Sequence, residues 1–580
     1  MALVDSVDSR TAVWSRLSGL LRPWPLLLIG CTLIAAWLVF VPLTALFYTA
    51  FSEDTPFGPG APTFANFVRA YADNHILLLL WNSAVFALGT GIVTFALGAL
   101  VAWVVERTDA PGRGLFHTLA LLSFALPGLL TTMAWMMILS PNIGWVNAEL
   151  KNFFGLTEAP FNIYTMGGMI WALSSHYFPL AYLLMGPAFR VLDIRMEEAA
   201  VISGASTWQV AGRVTLPLLR PAILSTLLLL FVRGLESFEV PRLIGMPARI
   251  HVFTTEIQSV TNGVPPRLGA AAALGMTLLL ICVVGVYLYR RATANAEAFA
   301  TVTGKGYAPT PQRLGAWRWP VSIITGAMFL IALGLPLFTM AWQSLFRNAT
   351  PPSLNAIGGM TLDAYRYVLG YPVFLNAVKN SVFLGAMAAT FVIMITFIMA
   401  WIAQRSLKRY GWILDSLAFI PIAIPSVIIG ASILFAYLIM PIPVYNTIWI
   451  LLIAYITMYL PYGMRFTSGG IVQIHRELEE VAEVSGASSP QIFGRVLLPL
   501  LAPVLMAGWL YVFVLAVREL SASIFLSGPG THVLGTISLT MWEEGGSYGA
   551  VCAMGIVQII PLIVIVIIMR RLEKRVSARR

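Results

Sequence analysis

Long apolar runs separated by short polar stretches recur along the whole chain. A helix that crosses a bilayer needs about 20 mostly apolar residues. On that measure the pattern predicts spans near 24–50, 78–104, 115–140, 165–189, 219–239 and 268–289. A second set falls near 320–345, 380–403, 412–439, 444–466, 500–523 and 550–569. The run near 219–239 differs from the others in ending on charge. Residues 292–319 are polar and read as a linker between a first half, 1–291, and a second half, 320–580. The expected fold class is an all-α membrane protein with about 12 transmembrane helices in two six-helix halves.

Basic residues orient the pattern, because Lys and Arg collect on the cytoplasmic side of membrane spans. Arg10, Arg16 and Arg22 precede the first run, which is too long for a cleavable signal and reads as an anchor. Arg107 and Arg113 follow the second run, Arg190 and Arg195 the fourth, and Arg290 and Arg291 the sixth. Arg405, Lys408 and Arg409 follow the eighth, and Arg570, Arg571, Lys574 and Arg575 the twelfth. Both termini are therefore expected in the cytoplasm. The stretch 525–549, on the opposite side, has no Lys or Arg, whereas 240–267 holds Arg242, Arg249 and Arg267.

The halves repeat one another. Asn82-Ser83 corresponds to Asn380-Ser381, Ala102-Trp103 and Arg107 to Ala400-Trp401 and Arg405, and Pro127 to Pro425, all at a spacing of 298. Further on the spacing is 282, as between Pro179 and Pro461. The first half thus carries about sixteen extra residues, expected in the external loop near 141–164. Six spans per half with one orientation make this a parallel repeat about an axis along the membrane normal.

Composition agrees with a membrane chain. Of 580 residues 58% are hydrophobic and 11% charged, against about 25% charged in soluble domains. The net charge of +10 does not point to nucleic acid, because the basic residues sit at the ends of apolar runs and not in one stripe. Cys31, Cys282 and Cys552 lie far apart in apolar stretches and form neither a disulfide framework nor a metal-ligand spacing.

The sharpest feature is a duplicated polar loop. Residues 197–221 read EEAAVISGASTWQVAGRVTLPLLRP and residues 479–503 read EEVAEVSGASSPQIFGRVLLPLLAP, with 16 of 25 positions identical. Glu198-Ala199-Ala200 and Glu480-Val481-Ala482 are expected to open short helices, which Gly204 and Gly486 end or turn. A second amphipathic stretch leads to Leu216-Pro217 and Leu498-Pro499, expected at the start of the next span. Such a helix would lie across the cytoplasmic face and offer small side chains to another protein.

This loop resembles the EAA motif of ABC-importer permeases: E-A-A, three residues, G, nine residues, an aliphatic, one residue, L-P. The first copy matches at Glu198, Ala199, Ala200, Gly204, Val214, Leu216 and Pro217. The second matches at Glu480, Ala482, Gly486, Val496, Leu498 and Pro499 and departs at Val481. The resemblance implies a type I importer permease fold. It also implies that each loop is a coupling helix in a groove of an ABC ATPase, and that an external or periplasmic binding protein delivers the cargo. Fusion of two halves resembles the ferric-iron and thiamine permeases. The run E-S-F-E-V-P-x-L-I-G-x-P from Glu236, followed by V-F-T-T-E-I, is similar to permeases assigned to ferric iron. Thiamine, phosphonate, polyamine and sugar-phosphate importers are the alternatives within the class. Because the two loops differ little, the ATPase is expected to be a homodimer, and the resemblance implies a bacterial inner membrane as the place of this chain.

No phosphate-binding G-x-x-x-x-G-K-[ST] loop is present; Gly304-Lys305-Gly306 lacks the upstream glycine and the hydroxyl residue. No catalytic site or cofactor is expected on this chain, and ATP and magnesium belong to the partner. Charges inside spans are costly and so point to function. Arg233, Glu236 and Glu239 are expected near the external end of the fifth span, and Arg518 and Glu519 near that of the eleventh. They read either as a polar gate or as local Arg–Glu pairing at a helix end. His176 reads as a path-lining residue or as a hydrogen-bond donor to a neighbouring helix. The metal-ligand set, if any, stays open. The rival class is a twelve-span carrier driven by an ion gradient, which has no need of the duplicated loop.

Overall fold

The structure is a computed structural model that describes residues 23–55, 58–71, 75–192, 194–294, 311–406 and 411–577. Arg10, Arg16, Arg22, Lys408, Arg409, Gly304-Lys305-Gly306 and most of the expected linker lie outside the described residues. Helices dominate, as they must where a backbone polar group has no water to bond. The described exception is a two-stranded antiparallel ribbon, Ser52–Thr55 with Gly58–Pro62.

Nine described helices are long and apolar enough to cross a bilayer, and two bent helix pairs raise the count to eleven. The twelfth expected span is the helix Met166–Val191. It begins 282 residues before its repeat partner Ile448–Val472, the spacing read from the prolines.

The third and ninth spans are not continuous, contrary to expectation. Each is two helices meeting at 101° or 103°. The breaks fall at Pro127 and Pro425. The preceding residues, Leu126 and Ile424, are held extended. The physical reason is the proline ring, which excludes the residue before it from helical geometry and donates no N–H.

The fifth and eleventh spans also end early, at Glu236 and Val517. The chain then folds back. Residues 240–267, expected as an external loop, contain a turn at Pro241–Gly245 and a helix Phe253–Thr261. Val240, Leu243, Ile244, Phe253 and Ile257 of this segment are buried. The helix Leu534–Glu543 repeats it in the second half. The duplicated Asn-Ser pair holds both. Asn82 donates to the His251 carbonyl at 3.2 Å and Ser83 Oγ accepts from Phe253 N at 3.1 Å. Asn380 donates to the His532 carbonyl at 2.9 Å and Ser381 Oγ accepts from Leu534 N at 2.8 Å.

The halves exchange their first spans. Trp37 of the first span donates to the Tyr437 hydroxyl at 3.3 Å, and Thr457 Oγ1 donates to the Leu38 carbonyl at 3.3 Å. In return, Ser322 of the seventh span donates to the Pro111 carbonyl at 2.8 Å, and Trp145 donates to Thr339 Oγ1 at 3.1 Å. One hydrophobic core therefore draws on both halves. The extra residues of the first half form a helix, Trp145–Phe154. Asn147 ties its base to the carbonyls of Leu139, Ser140 and Phe161 at 2.9–3.1 Å.

Candidate functional site

Two places on this scaffold gather the candidate residues. The first is the face that carries the duplicated loops. Short helices run over Ile194–Ile202 and Glu477–Val484, so they begin before the residues expected to open them. Gly204 and Gly486 end them in the left-handed conformation, φ +87° and +84°. There the Ala205 N–H returns to the Ala200 carbonyl and the Ala487 N–H to the Ala482 carbonyl, both at 3.0 Å. Glycine pays no β-carbon penalty in that conformation. A second short helix is capped in the same way in both copies: Gln209 Oε1 accepts from Ser206 N at 2.9 Å and Gln491 Oε1 from Ser488 N at 2.8 Å.

Pro217 and Pro499 fall in the first turn of the α-helices Leu216–Glu236 and Leu498–Val517, as expected, but the helical path begins before them. The helix is continuous over Trp208–Glu236 in one half and Pro490–Val517 in the other. A π turn precedes each proline, closed by Leu216 N to the Ala211 carbonyl and by Leu498 N to the Phe493 carbonyl. A proline ring inside an α-helix crowds the carbonyl four residues back, and the wider turn relieves that crowding without ending the helix. Glu198, Ala199 and Glu480 are exposed, with Ala200 and Ala482 half-buried. Beside them Ile202 is 87%, Trp208 88% and Val484 91% exposed.

The second place is a cavity of about 160 Å³ between the halves. Its walls are the broken ends of several spans: Gly128 after one break, Ile424 and Ser426 around the other, and the chain just past Glu236 and Val517. His176, Tyr177, Arg233, Glu236, Glu239, Tyr459, Tyr462, Arg518 and Glu519 line it. All six path candidates thus converge on one cavity. All six are buried or half-buried between the halves. Arg233 and Glu236 end their helix, and Glu239 lies beyond it. His176 lies ten residues into the helix that starts at Met166, about 15 Å along it at 1.5 Å per residue. The early end of the fifth span and the fold-back above it bring these charges to the middle of the bundle.

The partners differ in kind. Arg233 pairs with Glu236 at 2.8 Å and donates to the Tyr462 hydroxyl across the half boundary. Arg518 donates to the Phe124 carbonyl at 2.6 Å and the Leu126 carbonyl at 3.2 Å, closing the helix end left open by the break at Pro127. Glu519 accepts from the Tyr459 hydroxyl at 3.1 Å and from Ala522 N at 2.9 Å. Glu239 forms no hydrogen bond or ion pair with any described residue and faces the cavity. His176 forms no hydrogen bond with a neighbouring helix among the described residues; its ring packs against Tyr177. Gly128 makes room for both, since a β-carbon there would strike the Glu239 carboxylate and touch His176 Nε2. Among the described residues no group of three or more His, Cys, Asp or Glu converges to hold a metal ion.

The sequence reading missed the tyrosines. Tyr177 and Tyr459 stand 282 apart, so the repeat itself carried that signal. It also missed Glu197 and Glu479 as structural residues. Each is ion-paired to the arginine at the end of the second or eighth span, Arg107 or Arg405.

The family described as binding-protein-dependent transport system inner membrane component matches residues 94–294 and again 392–578, together more than half of the chain. The chain belongs to this family. It is a permease of an ABC importer, with two family units fused in one polypeptide, and the ion-gradient carrier falls away as an alternative. Ferric transport system permease protein FbpB of Actinobacillus pleuropneumoniae is 23% identical over 93% of this permease and 77% of that protein. Sulfate transport system permease protein CysW of Escherichia coli K12 is 27% identical over 40% of this permease and 72% of that protein. A solved bacterial ABC transporter involved in import of the acidic polysaccharide alginate aligns at 17% identity and a TM-score of 0.33, over 52% of this permease and all of that chain. Family membership implies an ATPase and a binding protein as partners, and a multi-pass place in the bacterial inner membrane.

Proposed function

We propose that this permease moves ferric iron, delivered by an external binding protein, and that a homodimeric ATPase seated on the two duplicated loops drives it. The loop face and both termini then lie in the cytoplasm. The halves 1–291 and 320–580, joined by the linker 292–319, rock about the central axis and open the cavity to either side in turn. Glu198, Ala199, Ala200, Gly204 and Pro217, with Glu480, Ala482, Gly486 and Pro499, form the seats. His176, Arg233, Glu236, Glu239, Arg518 and Glu519 form the path.

The observation that carries the cargo reading is a carboxylate, Glu239, that faces the cavity without a protein partner among the described residues. Arg233 and Arg518 spend donors on protein acceptors. A cation that favours oxygen ligands suits such a wall. The ferric relative, matched over 93% of this permease and 77% of its own length, supports the same reading.

The test is ATP hydrolysis by the permease reconstituted with its ATPase, with the binding protein added empty or iron-loaded. Stimulation by the iron-loaded form supports the proposal. Stimulation only by a form loaded with thiamine, a phosphonate, a polyamine or a sugar phosphate keeps the importer and replaces the cargo.

A further inference from the structure

Each duplicated loop is gripped by the arginine that ends the second span of its own half. Arg107 is 4% exposed, pairs with Glu197, and donates from Nη1 to the Leu192 carbonyl at 3.0 Å. Arg405 is 15% exposed, pairs with Glu479 at 2.7 Å, and donates from Nη2 to the carbonyls of Ile471 and Ile474 at 3.1 and 2.7 Å. The arginines are 298 residues apart and the glutamates 282. The pairing has therefore been kept in both copies across the segment where the halves differ in length. Glu197 and Glu479 turn inward, whereas Glu198 and Glu480 beside them face out.

Behind the pair lies a continuous mechanical route. At Gly98 the second span meets the fourth backbone to backbone: a β-carbon there would lie 2.5 Å from the Phe178 carbonyl oxygen and 2.7 Å from Tyr182 N. In the second half Gly463 meets Val392 and Thr396 of the eighth span as closely. The fourth and tenth spans carry Tyr177 and Tyr459 of the cavity wall. Arg107 is hydrogen-bonded to both its carboxylate and a main-chain carbonyl, while Arg405 is hydrogen-bonded to two carbonyls and ion-paired to its carboxylate; a planar guanidinium so held is directional in a way a lysine is not.

We infer that Arg107–Glu197 and Arg405–Glu479 are the joints that carry loop movement into the second and eighth spans, and so into the cavity wall. They are positioning pairs and take no part in the docking surface. This rests on the reading that the loops seat an ATPase.

The test uses the complete complex in proteoliposomes. Arg107→Gln with Arg405→Gln should keep the ATPase bound and hydrolysing, while cargo moved per ATP falls by about tenfold, a typical size for coupling between sites. Arg107→Lys with Arg405→Lys should recover only part of the loss. Should the glutamine variant not yield monodisperse protein, Arg405→Lys alone supplies the same ratio. Cargo per ATP unchanged with the ATPase still bound would overturn the inference. Failure of the docking reading looks different: ATPase binding would survive substitution of the exposed Trp208 and Val484.

Discussion

The Arg242 guanidinium of the first half meets the Glu543 carboxylate of the second side-on, Nε to Oε1 at 2.7 Å and Nη2 to Oε2 at 3.0 Å. Arg242 also reaches Gln258 Oε1 at 3.1 Å, so the two fold-back segments are joined across the central axis. Both partners are partly exposed. An ion pair of that kind adds at most about 1 kcal/mol to stability, so its removal should leave the melting temperature nearly unchanged. If the halves part here during transport, Arg242→Cys with Glu543→Cys bridged by a short bifunctional maleimide should stop uptake, and the unbridged variant should transport. Undiminished uptake by the bridged protein would show that this face does not open. The native cysteines, all buried, do not compete.

Glu239 and Glu519 face one cavity. Glu239→Gln combined with Glu519→Gln should lower cargo uptake by about tenfold, or ~1.4 kcal/mol, with the ATPase still copurifying. Uptake at the original rate would remove both carboxylates from the path.

Gly204 and Gly486 hold positive φ with open space around the missing β-carbon. Alanine there meets no clash, and its cost is the left-handed backbone alone, about 1–2 kcal/mol per site. Asparagine tolerates that backbone better. Copurifying ATPase should therefore fall in the order glycine, asparagine, alanine at both positions. An equal yield from all three would dissociate the turn from docking.

Gly98 has the opposite problem, since its β-carbon would press into the main chain of the fourth span. Gly98→Ala should destabilise the protein by about 1–3 kcal/mol, measured as a lower melting temperature in detergent. Gly114→Ala, where nothing lies within 4 Å, is the control.

Ser83 and Ser381 accept from buried backbone N–H groups that open the fold-back helices. Either serine replaced by alanine should cost about 1–3 kcal/mol, the penalty of a buried donor left unpaired. Hydrogen exchange should rise at Phe253 or Leu534 and not elsewhere in the same half.

Much of this was written along one dimension. The apolar runs gave the spans because a bilayer leaves few alternatives to a long helix. The repeat spacing gave the pairing of the halves. Gly204 and Gly486 were legible as turn residues because only local backbone geometry is at stake. Arg233, Glu236, Glu239, Arg518, Glu519 and His176 were legible as candidates because charge or imidazole in an apolar run is costly. Their depth was not legible. Hydropathy gives the extent of an apolar run, not whether the chain reaches the surface there or stops at Glu236 and folds back. Nor could it find the breaks at Pro127 and Pro425, because proline within a membrane helix is compatible with a mild kink as well as a 101° turn.

By itself the sequence determined where the apolar runs lie, their repeat, the loop turns and the set of costly polar residues. Each of these follows from short-range rules: solvent polarity, backbone conformation and proline sterics. Only the tertiary structure decided which residues meet. The exchange of first spans, the link from Arg518 to the Phe124 carbonyl 394 residues away, and the pairing of Arg107 with Glu197 depend on how rigid helices pack in three dimensions. Packing is set by complementary surfaces on segments far apart in the chain, and no local pattern encodes that match.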